Sequence, residues 1–120
     1  AATSLPLAVG FGIRSREDGT LLGVIGVHRH GRRRTVEIGY WMAAPVRGQG
    51  YAREALQVLI ARLALQFPDS RIVAECHPDN ARSQGLLQRV GFTSTGQAGQ
   101  RPGRVLYAQT VQRAGRIDVC

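Results

Sequence analysis

The segment Arg47-Gly48-Gln49-Gly50-Tyr51-Ala52 concentrates the residue types that hold an anion on backbone alone. Gly48 and Gly50 permit backbone angles and close approach that a Cβ would block, so the turn can aim several successive N–H groups at one point. If a helix follows, its first N–H groups have no partner within the helix, and its dipole adds positive potential at the same place. A phosphate or diphosphate suits such a nest, with Arg47 adding a charge-assisted contact at its mouth. Two motifs are excluded. A dinucleotide fingerprint needs a third glycine where this chain has Arg53, and a Walker loop needs lysine, which the chain lacks. A plain strand-to-helix turn would use the same glycines for geometry alone, and the turn by itself leaves that alternative open.

Hydrophobic periodicity supplies the elements that must position this turn. Val9, Phe11 and Ile13 alternate with Gly10, Gly12 and Arg14, which is the period of a strand. Glu17-Asp18-Gly19-Thr20 makes a hairpin turn into an antiparallel strand at Leu21 to Val27, and a basic loop, His28 to Arg34, follows. Thr35 to Met42 is a third strand, with Val36, Ile38, Tyr40 and Met42 on one face and Glu37, Gly39 and Trp41 on the other. Beyond the glycine turn a helix runs to about Phe67 on a stripe of Ala52, Ala55, Leu56, Leu59, Ile60, Leu63 and Phe67. Val58, Ala61 and Leu65 widen that apolar side and predict burial against more than one sheet face.

Arg71 to Cys76 reads as a short strand, and Asp79 or Asn80 caps a second helix to Val90, with Gly91 suited to the position past its end. Phe92 to Gly96 and Arg104 to Val111 close the chain as a strand pair around the turn-rich Gly96 to Gly103. The order β-β-β-α-β-α-β-β gives an α+β fold: a mixed, largely antiparallel sheet with two main helices. We expect one domain over residues 1–120, with about the first eight and last six residues loose.

A hydrophobic fraction of 43% with 20% charged residues belongs to a folded chain rather than a disordered one. No apolar run approaches the roughly 20 residues of a membrane span, and the start shows neither a basic n-region nor an apolar h-region. Cys76 and Cys120 make no disulfide framework, and His28, His30 and His77 are too widely spread to ligate a metal, so we assign no metal and a reducing, cytoplasmic compartment. The net charge of +8 comes entirely from arginine. Absence of lysine removes Schiff-base chemistry, and the basic excess implies an anionic partner. Aromatics at 6% are too thin for a single-strand stacking platform, so nucleic acid is not the partner we expect, and Arg32-Arg33-Arg34 reads as a solvated hairpin tip.

The spacing Arg47, Gly50, Ala52 resembles R/Q-x-x-G-x-G/A, the diphosphate loop of the GNAT N-acetyltransferases. Glu37-Ile38-Gly39-Tyr40-Trp41-Met42 leading through Pro45 resembles the RimJ/RimL-like ribosomal-protein alanine acetyltransferase branch, as do Asn80-Ala81-Arg82-Ser83 and Leu87-Gln88-Arg89-Val90-Gly91-Phe92. The resemblance covers about residues 9 to 111, with the motifs in family order. It implies acetyl-CoA as co-substrate and direct attack of an amine on the thioester. The acceptor would be a small-molecule amine or a protein N-terminal α-amine. An α-amine, with a pKa of about 7.7–8.0 against about 10.4 for a lysine side chain, asks less of a base.

The resemblance also assigns roles. Met42, Ala43, Arg47, Gly48, Gln49, Gly50, Tyr51, Ala52, Asn80 and Ser83 fall on cofactor-binding positions. A backbone N–H at Met42 or Ala43 would meet the oxyanion if the strand splays there. Glu37 is the candidate base, through a water, and an exposed or paired strand carboxylate is the alternative. Asn80 and Ser83 share a helix face beside the pantetheine arm, with Ser83 a donor to the leaving sulfur and Asn80 either a pantetheine contact or a helix cap. Many members carry a tyrosine acid where this chain has Leu87. The first strand here looks like the family's second, so we expect a chain shortened at its N-terminus by a strand and two helices that wall the acceptor site. Such a chain exposes sheet edge and apolar helix surface that a second copy could cover. A catalytically inactive CoA-binding remnant is the alternative.

Overall fold

Strands with one buried face and a helix with one buried stripe build the sheet from both ends of the chain. The computed structural model describes residues 8–30 and 34–110. Its order is β1 (Ala8–Arg14), β2 (Leu21–His30), β3 (Thr35–Met42), a single 3₁₀ turn (Ala44–Val46), α1 (Tyr51–Gln66), β4 (Arg71–Cys76), α2 (Ala81–Arg89), β5 (Thr93–Ala98) and β6 (Val105–Thr110). The bounds of β3 and β4 are those of the sequence reading. The expected loop at His28 is instead strand to His30, because His28, Arg29 and His30 complete the ladder opposite Glu37, Val36 and Thr35. The expected loose ends, Arg32-Arg33 of the basic tip and Cys120 lie outside the described residues.

The six strands form one sheet in the order β1-β2-β3-β4-β6-β5. β1, β2 and β3 are an antiparallel meander, whereas β3 and β4 run parallel and pair only through Thr35↔Arg71, Val36↔Ile72 and Glu37↔Val73. β4 then pairs along its whole length with the final strand, leaving β5 outermost. The sheet is therefore two three-stranded halves joined by a short parallel seam.

Both helices pack on one face. Ile25, Val27, Val36, Ile38, Met42, Ile72, Ala74 and Cys76 meet Leu56, Leu59 and Leu63 of α1 and Leu87 of α2 in a continuous core, with Phe92 and Tyr107 beneath α2's end. Burying each such side chain contributes about 1.5–3 kcal/mol. The wider burial expected for α1 is not found at Val58, 54% exposed, or Leu65, 68% exposed; the helix buries Ala52, Leu56, Leu59, Leu63 and Ala64 against the sheet. On the opposite face the register aligns Gly10, Gly26 and Gly39 in one row beside Val24 and Trp41, and no described helix covers it.

Candidate active site

The glycine turn has the backbone its sequence requires. Gly48 has φ 79° and Gly50 φ 86°, the left-handed region that costs an L-residue about 1–2 kcal/mol. A Cβ at either would meet no atom of the chain within 4 Å, so the protein's own packing does not demand glycine there and its conformation does. The Arg47 amide bonds back to Ala44, and helical bonding resumes only with Glu54 to the Gly50 carbonyl. Between them the amides of Gly48 through Arg53 have no backbone acceptor among the described residues, and α1 begins with no side-chain cap. Arg47 Nε donates to the Met42 carbonyl at 3.0 Å and Gln49 Nε2 to that of Pro45 at 3.1 Å. The first bond braces the turn against the end of β3 and the second against the 3₁₀ turn. An exposed row of donors at a helix start is what binds phosphate groups.

Beside this turn the sheet opens. β3 and β4 part after Glu37↔Val73, so Ile38 to Met42 and Ala74 to Cys76 form the arms of a fork. Ala43 N–H donates to Leu22 O at 2.8 Å, which closes the β2–β3 ladder and removes Ala43 as an oxyanion donor, contrary to the sequence reading. Strand alternation turns the neighbouring Met42 and Tyr40 amides the other way, toward the opening. On the facing arm Arg71 N–H bonds Arg34 O, so the same alternation turns the Glu75 backbone toward the gap.

The start of α2 borders the fork. Asn80 Oδ1 accepts the Ser83 amide at 3.0 Å, the cap read from the sequence. Ser83 Oγ lies 2.6 Å from the Tyr40 hydroxyl, joining α2 to the β3 arm. Burial raises the Tyr40 pKa above the ordinary phenol value, opposed by the Ser83 bond and assisted by nearby Cys76, so it stays a phenol. Leu87 is 1% exposed in the core and contributes packing only.

Glu37 lies at the crotch, on the face away from the helices, and its side chain is only 10% exposed. Its Oε2 accepts Arg101 Nη1 at 2.8 Å, and the same nitrogen is 3.3 Å from Glu75 Oε1. Glu75 also accepts the Gln100 and Arg101 amides at 2.7 and 3.1 Å. Burial acts to raise the Glu75 pKa, but these donors outweigh it and hold the carboxyl below its ordinary value. The β5–β6 turn is thus latched onto the fork by two carboxylates sharing one guanidinium.

The structure joins Arg47 to Met42 at the end of β3 and, through Ser83 and Tyr40, the Asn80-capped start of α2 to the same strand, with Glu37 on the strand's other face. It adds Tyr40, Glu75 and Arg101, which the sequence reading missed. Tyr40 carried only a packing signal, and Arg101 sits in a turn with no motif. A separate cleft of about 650 Å³ lies between β1–β2 and α1, lined by apolar Phe11, Ile13 and Tyr51 and by charged Arg14, Glu54 and Arg62. Tyr51 borders that cleft. Among the described residues no group of His, Cys, Asp and Glu is placed to hold a metal, and no helix is long and apolar enough to cross a membrane.

Residues 2–93 match the model of the acetyltransferase (GNAT) domain. The ribosomal-protein-serine acetyltransferase of Escherichia coli is 39% identical over 82 residues, which are 68% of this chain and 45% of that protein. The ribosomal-protein-S5-alanine acetyltransferase structure from Vibrio fischeri superposes with TM-score 0.76 at 20% identity, covering 88% of this chain and 62% of that one. The self-immunity acetyltransferase MccE, solved with acetyl-CoA and AMP, gives TM-score 0.73 at 24% identity over 88% and 62% of the two chains. At those identities the last two establish likeness of fold. The chain spans about half the length of the curated relatives it matches, 45–51%.

Proposed function

The chain belongs to the GNAT acetyltransferase family, and from that premise we propose that it transfers an acetyl group from acetyl-CoA to a primary amine. The observation that carries this reading is the run of amides from Gly48 to Arg53 without backbone acceptors among the described residues, beside the β3–β4 fork. A diphosphate seated on those amides directs the rest of the cofactor toward the gap between Met42 and Glu75, whose outward-turned backbone groups suit an amide-bearing arm. Asn80 and Ser83 flank that path. Acetyl-CoA supplies the activated acyl group and the thiolate leaving group. The chain's own residues bind it, donate to the developing oxyanion through the Met42 amide, and donate to the sulfur through Ser83.

The acceptor we favour is an α-amine, as in a peptide N-terminus. Glu37 remains the candidate base through a water, although Arg101 Nη1 already occupies its Oε2 at 2.8 Å. An amine with a pKa of about 7.7–8.0 is partly neutral at pH 7 and needs the least help. The 39% identical relative named as a ribosomal-protein-serine acetyltransferase supports a protein acceptor. We place the reaction in the cytoplasm, where reduced thiols persist.

Calorimetry with CoA, followed by acetyl transfer to a panel of seryl and alanyl peptides and small-molecule amines, tests the reading. We expect micromolar CoA binding and a preference for peptide α-amines. Absence of CoA binding removes the proposal, and binding with no transfer to any amine leaves a non-catalytic CoA-binding domain.

A further inference from the structure

Tyr40 and Ser83 are 43 positions apart, yet their hydroxyls sit 2.6 Å from one another where the β3 arm meets the start of α2. Tyr40 lies beyond the last paired residue of the seam, Glu37, so the contact is on the open part of the fork. A serine hydroxyl rotates freely and can send its single proton to any of several acceptors. The shared bond removes that freedom. Phenol is the more acidic of the two groups and the better donor, and the Ser83 oxygen has lone pairs to receive it. With Tyr40 donating, the Ser83 proton cannot lie on the line between them and must turn elsewhere. The Ser83 main chain is fixed as well, since its amide donates to Asn80 Oδ1 at 3.0 Å.

On the acetyl-transfer reading above, we infer that Tyr40 is a positioning residue that orients the Ser83 hydroxyl as a hydrogen-bond donor to the sulfur leaving the thioester. The amine nitrogen forms the new C–N bond, the C–S bond breaks, and its electron pair stays on sulfur. Ser83 donates a hydrogen bond to that charge and keeps its proton. The proton released by the amine passes through a water to Glu37, the candidate base, and from there to solvent, which later reprotonates the thiolate. Burial keeps Tyr40 protonated, and Cys76 is the titratable neighbour coupled to it. This division of labour places donor capacity at the fork without any tyrosine at the Leu87 position.

The test is the ionisation of bound CoA, followed by thiolate absorbance as the difference between CoA-loaded and CoA-free protein, in the full chain and in Tyr40→Phe, Ser83→Ala, Ser83→Thr and the double variant Tyr40→Phe/Ser83→Ala. A hydrogen bond to a charged sulfur lowers its pKa, so Ser83→Ala raises the bound thiol by about one to two units. Tyr40→Phe raises it by a smaller amount in the same direction, Ser83→Thr restores most of the shift, and Tyr40→Phe adds nothing once Ser83 is alanine. Turnover of a seryl peptide falls about tenfold in Tyr40→Phe, at unchanged KM for the peptide, as for the loss of one hydrogen bond in the transition state. A bound thiol unaltered by Tyr40→Phe, or equal effects of Tyr40→Phe with and without Ser83, overturns the inference while CoA binding persists. Loss of CoA binding in every form, wild type included, overturns the cofactor reading beneath it instead.

Discussion

Replacing Arg101 by alanine removes the cation shared by Glu37 and Glu75. Two opposite unit charges about 4 Å apart attract by roughly 4 kcal/mol where the effective dielectric is about 20, and breaking a fully buried pair costs about 3–5 kcal/mol. Both carboxylates are nearly buried, at 10% and 2%, but the Arg101 side chain is 51% exposed, so water screens the pair and takes over part of its role. Glu75 also keeps the Gln100 and Arg101 amides, which the substitution does not touch. Both carboxylates lose part of their pairing, and we expect a destabilisation of about 2 kcal/mol. With a urea m-value of about 2 kcal/mol/M the midpoint moves down by about 1 M at constant slope. Glu37→Gln should remove more than half of the Arg101→Ala penalty, and Glu75→Gln much less, in keeping with separations of 2.8 and 3.3 Å. A midpoint shift under about 0.2 M, or an Arg101→Ala penalty unaltered by Glu37→Gln, refutes the latch.

Gly50→Ala adds a Cβ at φ 86° in open space, so it should cost only about 1–2 kcal/mol of stability and leave CoA affinity within a few-fold. Gly50→Asp adds a carboxylate among the amides instead, and should weaken CoA by about 100-fold or more in the same calorimetric titration. Gly99→Ala drives a Cβ to 2.6 Å from Glu75 Cδ, and overpacking of about 1–3 kcal/mol should appear in thermal unfolding. Because the folded state holds the Glu75 pKa below its unfolded value, its contribution is complete above that unfolded value. It disappears as pH falls through the lower folded value. Glu75→Gln should therefore flatten the loss of stability below about pH 4.3, measured by urea midpoints across acid pH.

Local geometry was legible in the sequence where one short segment decides it. Thr35–Met42 and Arg71–Cys76 were delimited by alternation, the glycine turn by its own composition, and the α2 cap by Asn80. Contacts set by register across the sheet were not legible. Glu37 and Arg101 are 64 positions apart, and nothing in the turn around Arg101 distinguishes it from other exposed arginines. The place of β6 between β4 and β5 depends on which edge remains open after α2 crosses, a matter of packing rather than pattern. Val58 and Leu65 misled for a related reason: an apolar residue adjoining a helix's buried stripe looks like core until the neighbouring surface is known. The fork itself has no residue signature, since it is the point where pairing stops.

The short parallel seam also governs how the chain must assemble as it emerges from synthesis. The first half-sheet is complete in pairing once Met42 is available, because each of its strands bonds to its sequence neighbour. β4 gains only three paired positions from its predecessor β3 and waits for Val105–Thr110 to supply its other edge. Until those residues arrive, Ile72, Val73 and Ala74 present an apolar strand with an unpaired margin, the form most prone to illegitimate pairing with another nascent chain. A translational pause between Cys76 and Thr110 would lengthen that exposure, so the route to soluble protein is most vulnerable over that interval.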